Sequence, residues 1–278
     1  MRARLHDHIE QKFAAAVIDN SPFPHVIIED FFPDDIYERL VDFNPFRANV
    51  GVEWLKKADS KDVSSRTPYY ARKQINFHEN QAFEAPADQQ AFWNEIKSLF
   101  LGDNWFPELV ASKFPEIFRY RFGDLMDDAD VFDLFRRELF LQRHEPGYYI
   151  GPHTDIPTRV FTCIFSFARE IGWERYGTEL LAPKDRLDRC WGNDHHGYER
   201  FAIAKVAPYK PNNFLLFHKT RQSFHSVTAI GDDVPDQRYG MQFQFYEPSG
   251  GLFNDLSAPK IMHVIRPQAN NAGKTDPI

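Results

Sequence analysis

Four residues in the second half of the chain have types and an order that suit metal and anion binding. His153 and Asp155 form a His-x-Asp pair in GPHTD, His225 follows in SFHSV, and Arg238 begins RYGMQFQFYE. Two imidazoles and one carboxylate can bind Fe(II) on one face and leave open positions for O2 and an organic co-substrate. An arginine offers a fixed fork of donors to a carboxylate. The combination predicts a metal, an acidic co-substrate and oxygen chemistry.

The assignment of the metal ligands depends on local context. Residues i and i+2 of a strand point to the same side, so His153 and Asp155 can share one ion. His218 is the alternative to His225 as the second histidine, but Phe217-His218-Lys219 begins a polar loop. We therefore favour His225.

The elements that must position these residues are β-prone. Apolar runs at 139–144, 160–167, 214–217 and 239–246 are separated by Gly, Pro, Asp and Asn turns. The last run alternates, with apolar residues on one face and Arg238, Gly240, Gln242, Gln244 and Tyr246 on the other. The pattern predicts a mainly β fold with flanking helices (α+β), whose core at 116–247 is a jelly-roll, cupin-like double-stranded β-helix.

The first 115 residues alternate between helix and strand periodicity. Apolar spacing and turn signals predict helices over 3–18, 34–43, 87–101 and 107–114, and strands over 25–29 and 69–77. We expect residues 1–115 to pack on the barrel, residues 248–278 to form a C-terminal extension, and the whole chain to be one structural domain.

Composition limits the partners and the compartment. The chain has 278 residues and a formal net charge of −7, which argues against broad binding to nucleic acid or an anionic membrane. Cys163 and Cys190 do not form a disulfide framework, and the amino terminus lacks the apolar core of a signal peptide. No apolar run is long enough to cross a bilayer. We expect a cytoplasmic protein, and the sequence gives no indication of its oligomeric state.

Several segments resemble the 2-oxoglutarate- and Fe(II)-dependent oxygenase superfamily, in its prolyl-4-hydroxylase-like branch. The resemblance covers about residues 139–247, through RHEPGYYIGPHTD, TRVFTCIFSF, YGTELL, APYKPNNFLLFHKTRQSFHSV and QRYGMQFQFYE, and the lead-in SPFPHVIIEDFFPDDIYERL is also similar. It implies that His153, Asp155 and His225 are the iron ligands. It also implies that Arg238 pairs with the distal carboxylate of 2-oxoglutarate.

Two departures from the family pattern concern the co-substrate pocket. His144 stands where many relatives have a tyrosine nine residues before the first ligand, and Thr178 replaces the second glycine of the family's Gly-Gly-Glu-Leu turn. The missing hydrogen bond must then come from a neighbouring side chain. The co-substrate contacts predicted beside Arg238 are Tyr149, Tyr148, Thr162, His144 and Gln242.

The resemblance implies a dioxygenase that uses Fe(II), 2-oxoglutarate and O2 and releases succinate and CO2. The expected reaction is hydroxylation of a C–H bond in a small metabolite, sugar or amino-acid derivative. A hydroxylase of protein or peptide side chains, of the prolyl type, is one alternative, and a non-redox, cupin-like metal-binding protein is another. We expect the polar insertion 184–200 to help select the substrate, with Trp191, His195 and His196 close to it.

Overall fold

The computed structural model describes residues 1–47, 55–56, 72–79, 83–128, 130–190, 192, 194–231 and 237–247. Five α-helices lie in the first half of the described chain, and none of the described helices is long and apolar enough to cross a membrane. The helices are α1 (Arg2–Ala15), α2 (Asp34–Asp42), α3 (Ala87–Leu101), α4 (Trp105–Lys113) and α5 (Pro115–Phe122).

Eleven strands are described, and they form two antiparallel sheets. The strands are β1 (His25–Ile28), β2 (Leu55–Lys56), β3 (Arg72–Asn76), β4 (Arg136–His144), β5 (Ile150–His153), β6 (Arg159–Phe167), β7 (Thr178–Pro183), β8 (Phe201–Ala207), β9 (Pro211–His218), β10 (His225–Val227) and β11 (Arg238–Tyr246). The larger sheet has the order β1-β9-β6-β11-β4-β3-β2, and the smaller has the order β5-β10-β7-β8. From β4 onward the chain passes repeatedly between the sheets, which is the topology of a double-stranded β-helix.

Strand β11 separates the core from the interior of the barrel. Its odd-numbered residues Tyr239, Met241, Phe243 and Phe245 are buried in the main hydrophobic cluster. Phe100 and Phe106 of helices α3 and α4 pack on Phe243, with ring centroids 5.9 and 5.4 Å away. The same cluster includes Leu5, Ile9 and Phe13 of α1, so one core unites the amino-terminal helices with the larger sheet. The even-numbered residues of β11 face the other way, toward the smaller sheet.

The predicted fold class and core architecture are confirmed, while some element boundaries differ. Helix α1 ends at Ala15 rather than at residue 18, because Asp19 forms a bridge with His25 and draws the chain into an extended conformation. The helix expected over 107–114 begins at Trp105, and Pro115 starts a separate helix, a position that suits proline. The first core strand begins only at Arg136. Residues 69–71 and the extension 248–278 lie outside the described residues.

Candidate metal centre and adjoining cavity

Two paired strands of the smaller sheet bring the predicted metal ligands together. Antiparallel pairing of β10 with β5 places His225 opposite His153, and their ring centroids are 4.2 Å apart. Asp155 follows His153 by two residues. One potential ligand atom from each of the three residues lies within 4.8 Å of the others. The side chains can therefore converge on a single ion.

Hydrogen bonds to the backbone fix the tautomer of both histidines. Nδ1 of His153 lies 2.9 Å from the carbonyl oxygen of Gly151, and Nδ1 of His225 lies 3.0 Å from that of Ser223. A carbonyl oxygen only accepts, so each Nδ1 carries the proton and donates it. Each Nε2 then keeps its lone pair for a metal, which is the usual arrangement of histidine ligands.

The protonation states also suit a cation. Burial holds the pKa of His153 well below its ordinary range and lowers the pKa of His225, so both rings are neutral near pH 7. Burial by itself would raise the pKa of Asp155, but the charge of Arg159, the two neighbouring imidazole rings and a hydrogen bond from Thr162 outweigh it and lower that pKa. Metal ligands must be deprotonated, and all three residues meet that condition at neutral pH.

A buried relay of hydrogen bonds orients Asp155. Thr162 Oγ1 donates to Asp155 Oδ2 over 2.7 Å, and Arg159 Nη1 donates to Thr162 Oγ1 over 2.9 Å. Arg159 Nη1 is also 3.5 Å from Asp155 Oδ1. Outer partners of this kind orient metal ligands and tune their affinity. Thr162 therefore helps to orient the carboxylate of Asp155.

A cavity of about 330 Å³ adjoins the three residues, with β4 and β11 as one wall. At one end the register of β11 with β4 places Arg238 opposite His144, and pairing of β3 with β4 brings Arg72 to the same place. Tyr148 stacks on His144 with ring centroids 4.1 Å apart, and Arg72 Nη1 donates to the Tyr148 hydroxyl over 3.4 Å. We call Arg238, His144, Arg72 and Tyr148 the basic end.

The basic end contains polar atoms that need a ligand. Arg238 is buried, and within the described parts of the chain its Nη1 has no hydrogen-bond partner. The same holds for both ring nitrogens of His144, whose pKa is held well below its ordinary range by burial and by the charges of Arg238 and Arg72. Buried polar groups are rarely left unpaired. A bound carboxylate would accept from the guanidinium and from the single N–H of the neutral imidazole.

The insertion between β7 and β8 is joined to the metal centre. Thr154, between the two ligands of the His-x-Asp pair, donates to the carbonyl oxygen of Gly192 over 2.8 Å. The ring of His195 stacks on that of His153 with centroids 4.9 Å apart, and the backbone N–H of His196 donates to Pro152 over 2.8 Å. The segment therefore lies against strand β5. Its Trp191 lies outside the described residues.

The other predicted co-substrate contacts do not all line the cavity. Tyr148, His144 and Gln242 line the cavity, while Tyr149 and Thr162 are not among its lining residues. His218 packs among Phe114 and Phe118, with ring centroids 4.6 and 5.7 Å away, on the side of the main core. It is not part of the group that can share an ion.

Glu138 and Arg72 are two charged cavity residues that the sequence analysis did not single out. Glu138 shares the inner face of β4 with Phe140, Gln142 and His144, and this period of two is a signal that could have identified it. Arg72 gave no such signal, since it reaches the cavity only through the pairing of β3 with β4.

No protein-family model matches the chain, and no curated protein matches it. Among solved structures, a Trichoplax adhaerens prolyl hydroxylase in complex with a hypoxia-inducible-factor peptide is similar over 88% of this chain and 90% of that chain, with 14% identity and a TM-score of 0.44. A Pseudomonas putida prolyl-4-hydroxylase is similar over 87% and 98%, with 11% identity and a TM-score of 0.43. HygX from Streptomyces hygroscopicus, with nickel and 2-oxoglutarate bound, is similar over 88% and 86%, with 8% identity and a TM-score of 0.46.

Proposed function

We propose that the protein is an Fe(II)- and 2-oxoglutarate-dependent dioxygenase that hydroxylates a C–H bond of a small molecule. One observation carries the proposal: a preorganised His153–Asp155–His225 triad shares a cavity with a buried arginine, Arg238, whose Nη1 has no hydrogen-bond partner among the described residues. The triad suits Fe(II) with open positions, and the arginine suits a carboxylate of the co-substrate.

Each part of the site has a distinct task in this reaction. His153, Asp155 and His225 hold the iron, which with 2-oxoglutarate and O2 supplies the oxidising chemistry and yields succinate and CO2. Arg238 binds the distal carboxylate of the co-substrate. His144 donates a second hydrogen bond to that carboxylate, and Arg72 adds positive charge. The protein's own contribution is to bind, orient and shield the reactants.

The walls of the cavity suit this shielding. Ile150, Ile164 and Val227 contribute apolar surface to the cavity, which limits the access of water. Water exclusion strengthens the interaction of Arg238 with a carboxylate, because electrostatic interactions increase as the local dielectric falls. It also protects a reactive oxidant from unproductive quenching.

The test is anaerobic titration of the protein with Fe(II) and 2-oxoglutarate, followed by the visible absorption of a chelated iron–keto acid complex. We expect the band in the wild-type protein and in His8→Ala, a matched histidine variant on α1. His225→Ala should lose the band while keeping its circular dichroism spectrum. A His225→Ala protein that retains wild-type Fe(II) affinity, with His218→Ala losing it, would reverse our choice of ligand.

The substrate class is tested by succinate release. A cavity of about 330 Å³ favours a small molecule over a peptide. Stimulation of succinate release by proline-containing peptides, and by no small molecule, would favour the prolyl-type alternative. Iron binding without any succinate formation would favour the non-redox alternative.

A further inference from the structure

The end of the cavity away from Arg238 carries a second polar cluster. The register of β11 with β4 places Gln244 opposite Glu138, and Tyr246 follows two residues later on the same face. All three side chains line the cavity. The Tyr246 hydroxyl is 2.8 Å from Glu138 Oε2 and 2.5 Å from Gln244 Oε1. We call Glu138, Gln244 and Tyr246 the acceptor cluster.

The cluster has fewer protons than its oxygen atoms need. Burial raises the pKa of Tyr246, so the hydroxyl keeps its single proton. Arg159 Nη2 already donates to the hydroxyl oxygen over 2.6 Å. The one Tyr246 proton can satisfy either Glu138 or Gln244, but not both. One acceptor oxygen is therefore left without a donor from this cluster.

Reversing the amide of Gln244 does not remove the deficit. In that orientation Nε2 donates to Tyr246 and the Tyr246 proton goes to Glu138, but Oε1 of Gln244 then turns away without a donor from the cluster. In both orientations one acceptor oxygen of the cluster is left for a donor from outside it. A molecule in the cavity is the group placed to supply it.

The charges around the cluster favour a neutral donor. The guanidinium of Arg159 lies 4.4 Å from the centre of the Tyr246 ring, and that of Arg136 lies 4.1 Å from it. Arg136 also forms an ion pair with Glu138. The two guanidinium groups are thus balanced by two carboxylates, those of Glu138 and of Asp155, the latter 3.5 Å from Arg159. A hydroxyl group fits this environment better than an ammonium group, which both guanidinium groups would repel.

The cluster is directly coupled to the metal centre. Arg159 donates from Nη2 to Tyr246 and from Nη1 to Thr162, and Thr162 donates to Asp155. One rigid arginine therefore positions both the acceptor cluster and a metal ligand. A molecule bound to the cluster would lie beside the metal, while the basic end remains free for an acid.

We propose that the acceptor cluster is the binding subsite for the primary substrate, and that it recognises a hydroxyl group of a neutral, polyhydroxylated small molecule. The inference rests on the proposed function, because it assigns the basic end to 2-oxoglutarate. It gives Glu138, Gln244 and Tyr246 a role in specificity and Arg159 a role in positioning them.

The test measures binding to the Zn(II)-loaded protein with 2-oxoglutarate by ligand-observed NMR, so that no turnover is needed. The hydroxyl arm is glycerol, meso-inositol, D-glucose and methyl β-D-glucoside, and the ammonium arm is ethanolamine and putrescine. We expect binding from the hydroxyl arm, weakened at least tenfold in Gln244→Leu and retained in the matched surface variant Gln90→Leu. The 2-oxoglutarate affinity should be the same in all three proteins. Glu138→Gln, which keeps an acceptor oxygen, guards against misfolding of Gln244→Leu and should weaken hydroxyl binding only modestly.

Three outcomes would overturn the inference. Equal binding of the hydroxyl compounds by wild type and Gln244→Leu would show that the cluster does not take part in recognition. Binding by the ammonium arm alone, lost in Glu138→Gln, would replace the neutral class with a cationic one. Binding by neither arm would show that the cluster does not select hydroxyl donors. A failure of the proposed function is visible separately, as the absence of an Fe(II)–2-oxoglutarate absorption band in wild type.

Discussion

Replacing Thr162 with valine tests whether the relay behind Asp155 supports metal binding. Valine has the shape of threonine without the hydroxyl, and Thr162 is 1% exposed, so Thr162→Val removes hydrogen bonds with little change in packing. Asp155 Oδ2 loses its 2.7 Å donor, and Arg159 Nη1 loses its 2.9 Å acceptor. The carboxylate is then free to rotate away from the position it needs as a ligand.

Two independent magnitudes agree on the size of the effect. A hydrogen bond to a charged group contributes about 1.5–3 kcal/mol. Loss of an outer partner of a metal ligand typically weakens metal affinity about 10–100-fold, or about 1.4–2.7 kcal/mol. We therefore expect Thr162→Val to bind Fe(II) or Co(II) at least about tenfold more weakly than wild type.

The assay is anaerobic isothermal titration with Co(II), together with the melting temperature of each metal-free protein. Thr162→Ser restores the hydroxyl and should recover most of the affinity, which a purely structural role for the methyl group would not do. The reasoning is refuted if Thr162→Val binds Co(II) within twofold of wild type. It is also refuted if serine and valine weaken binding equally in proteins that melt together.

Three further substitutions test other parts of the structure. Arg238→Lys loses the planar fork that matches a carboxylate, so 2-oxoglutarate affinity by calorimetry should fall at least about tenfold while Co(II) affinity stays constant; an unchanged value would move the anchor elsewhere. Burial lowers the pKa of His218 to about 3 from 6.5 in the unfolded chain, so stability is lost as pH falls below 6.5. Between pH 7 and pH 5, the free energy of unfolding measured in urea should fall by about 2 kcal/mol less in His218→Leu than in wild type. An equal fall in the two proteins would contradict this. Glu247 has a buried carboxylate 2.6 Å from Arg121 Nε, and Arg121→Met removes this partner. The free energy of unfolding should fall by about 3–5 kcal/mol, and a fall below about 1 kcal/mol would contradict a stabilising role for the ion pair.

The features that could be predicted from the sequence are those that depend on local periodicity. The two faces of β11 were identified because a strand alternates with period two, and the structure separates Arg238, Gln242 and Gln244 from the core residues accordingly. His153 and Asp155 were paired by the same rule. The opposition of His225 and His153 arises from strand pairing over a long separation, and only the type and order of the residues suggested it.

Local periodicity does not extend through a turn. Both Tyr148 and Tyr149 were predicted contacts, and Tyr148 lines the cavity whereas Tyr149 is not among its lining residues. Gly147, with φ of +82°, lies between β4 and this pair, so the alternation of β4 cannot be extended through it. A slip of one residue exchanges the two faces of a strand. The choice between the tyrosines therefore needed the geometry of the turn.

The insertion 184–200 illustrates a different limit. Its composition is polar, but Cys190 is buried with Leu181, Phe201 and Phe224. Those partners come from β7, from β8 and from the residue before β10, so the sequence of the insertion alone does not predict this packing. Its participation in substrate selection stays a prediction. The polar composition alone predicts that shortening 188–197 leaves the melting temperature nearly unchanged, whereas the buried Cys190 leads us to expect a lower melting temperature.

The position of β5 has a consequence for how the protein acquires its metal. β5 is a four-residue strand at the edge of the smaller sheet; among the described strands it pairs with β10 alone, and the pairing has a register shift. An ion held by His153 and His225 would act as a clamp across this short pair. Hydrogen exchange of the β5 amides should therefore be fast in the metal-free protein and slow once Zn(II) is bound, while the amides of β6 and β11 exchange slowly in both. The metal would in this way complete the edge of the sheet as well as the reaction centre.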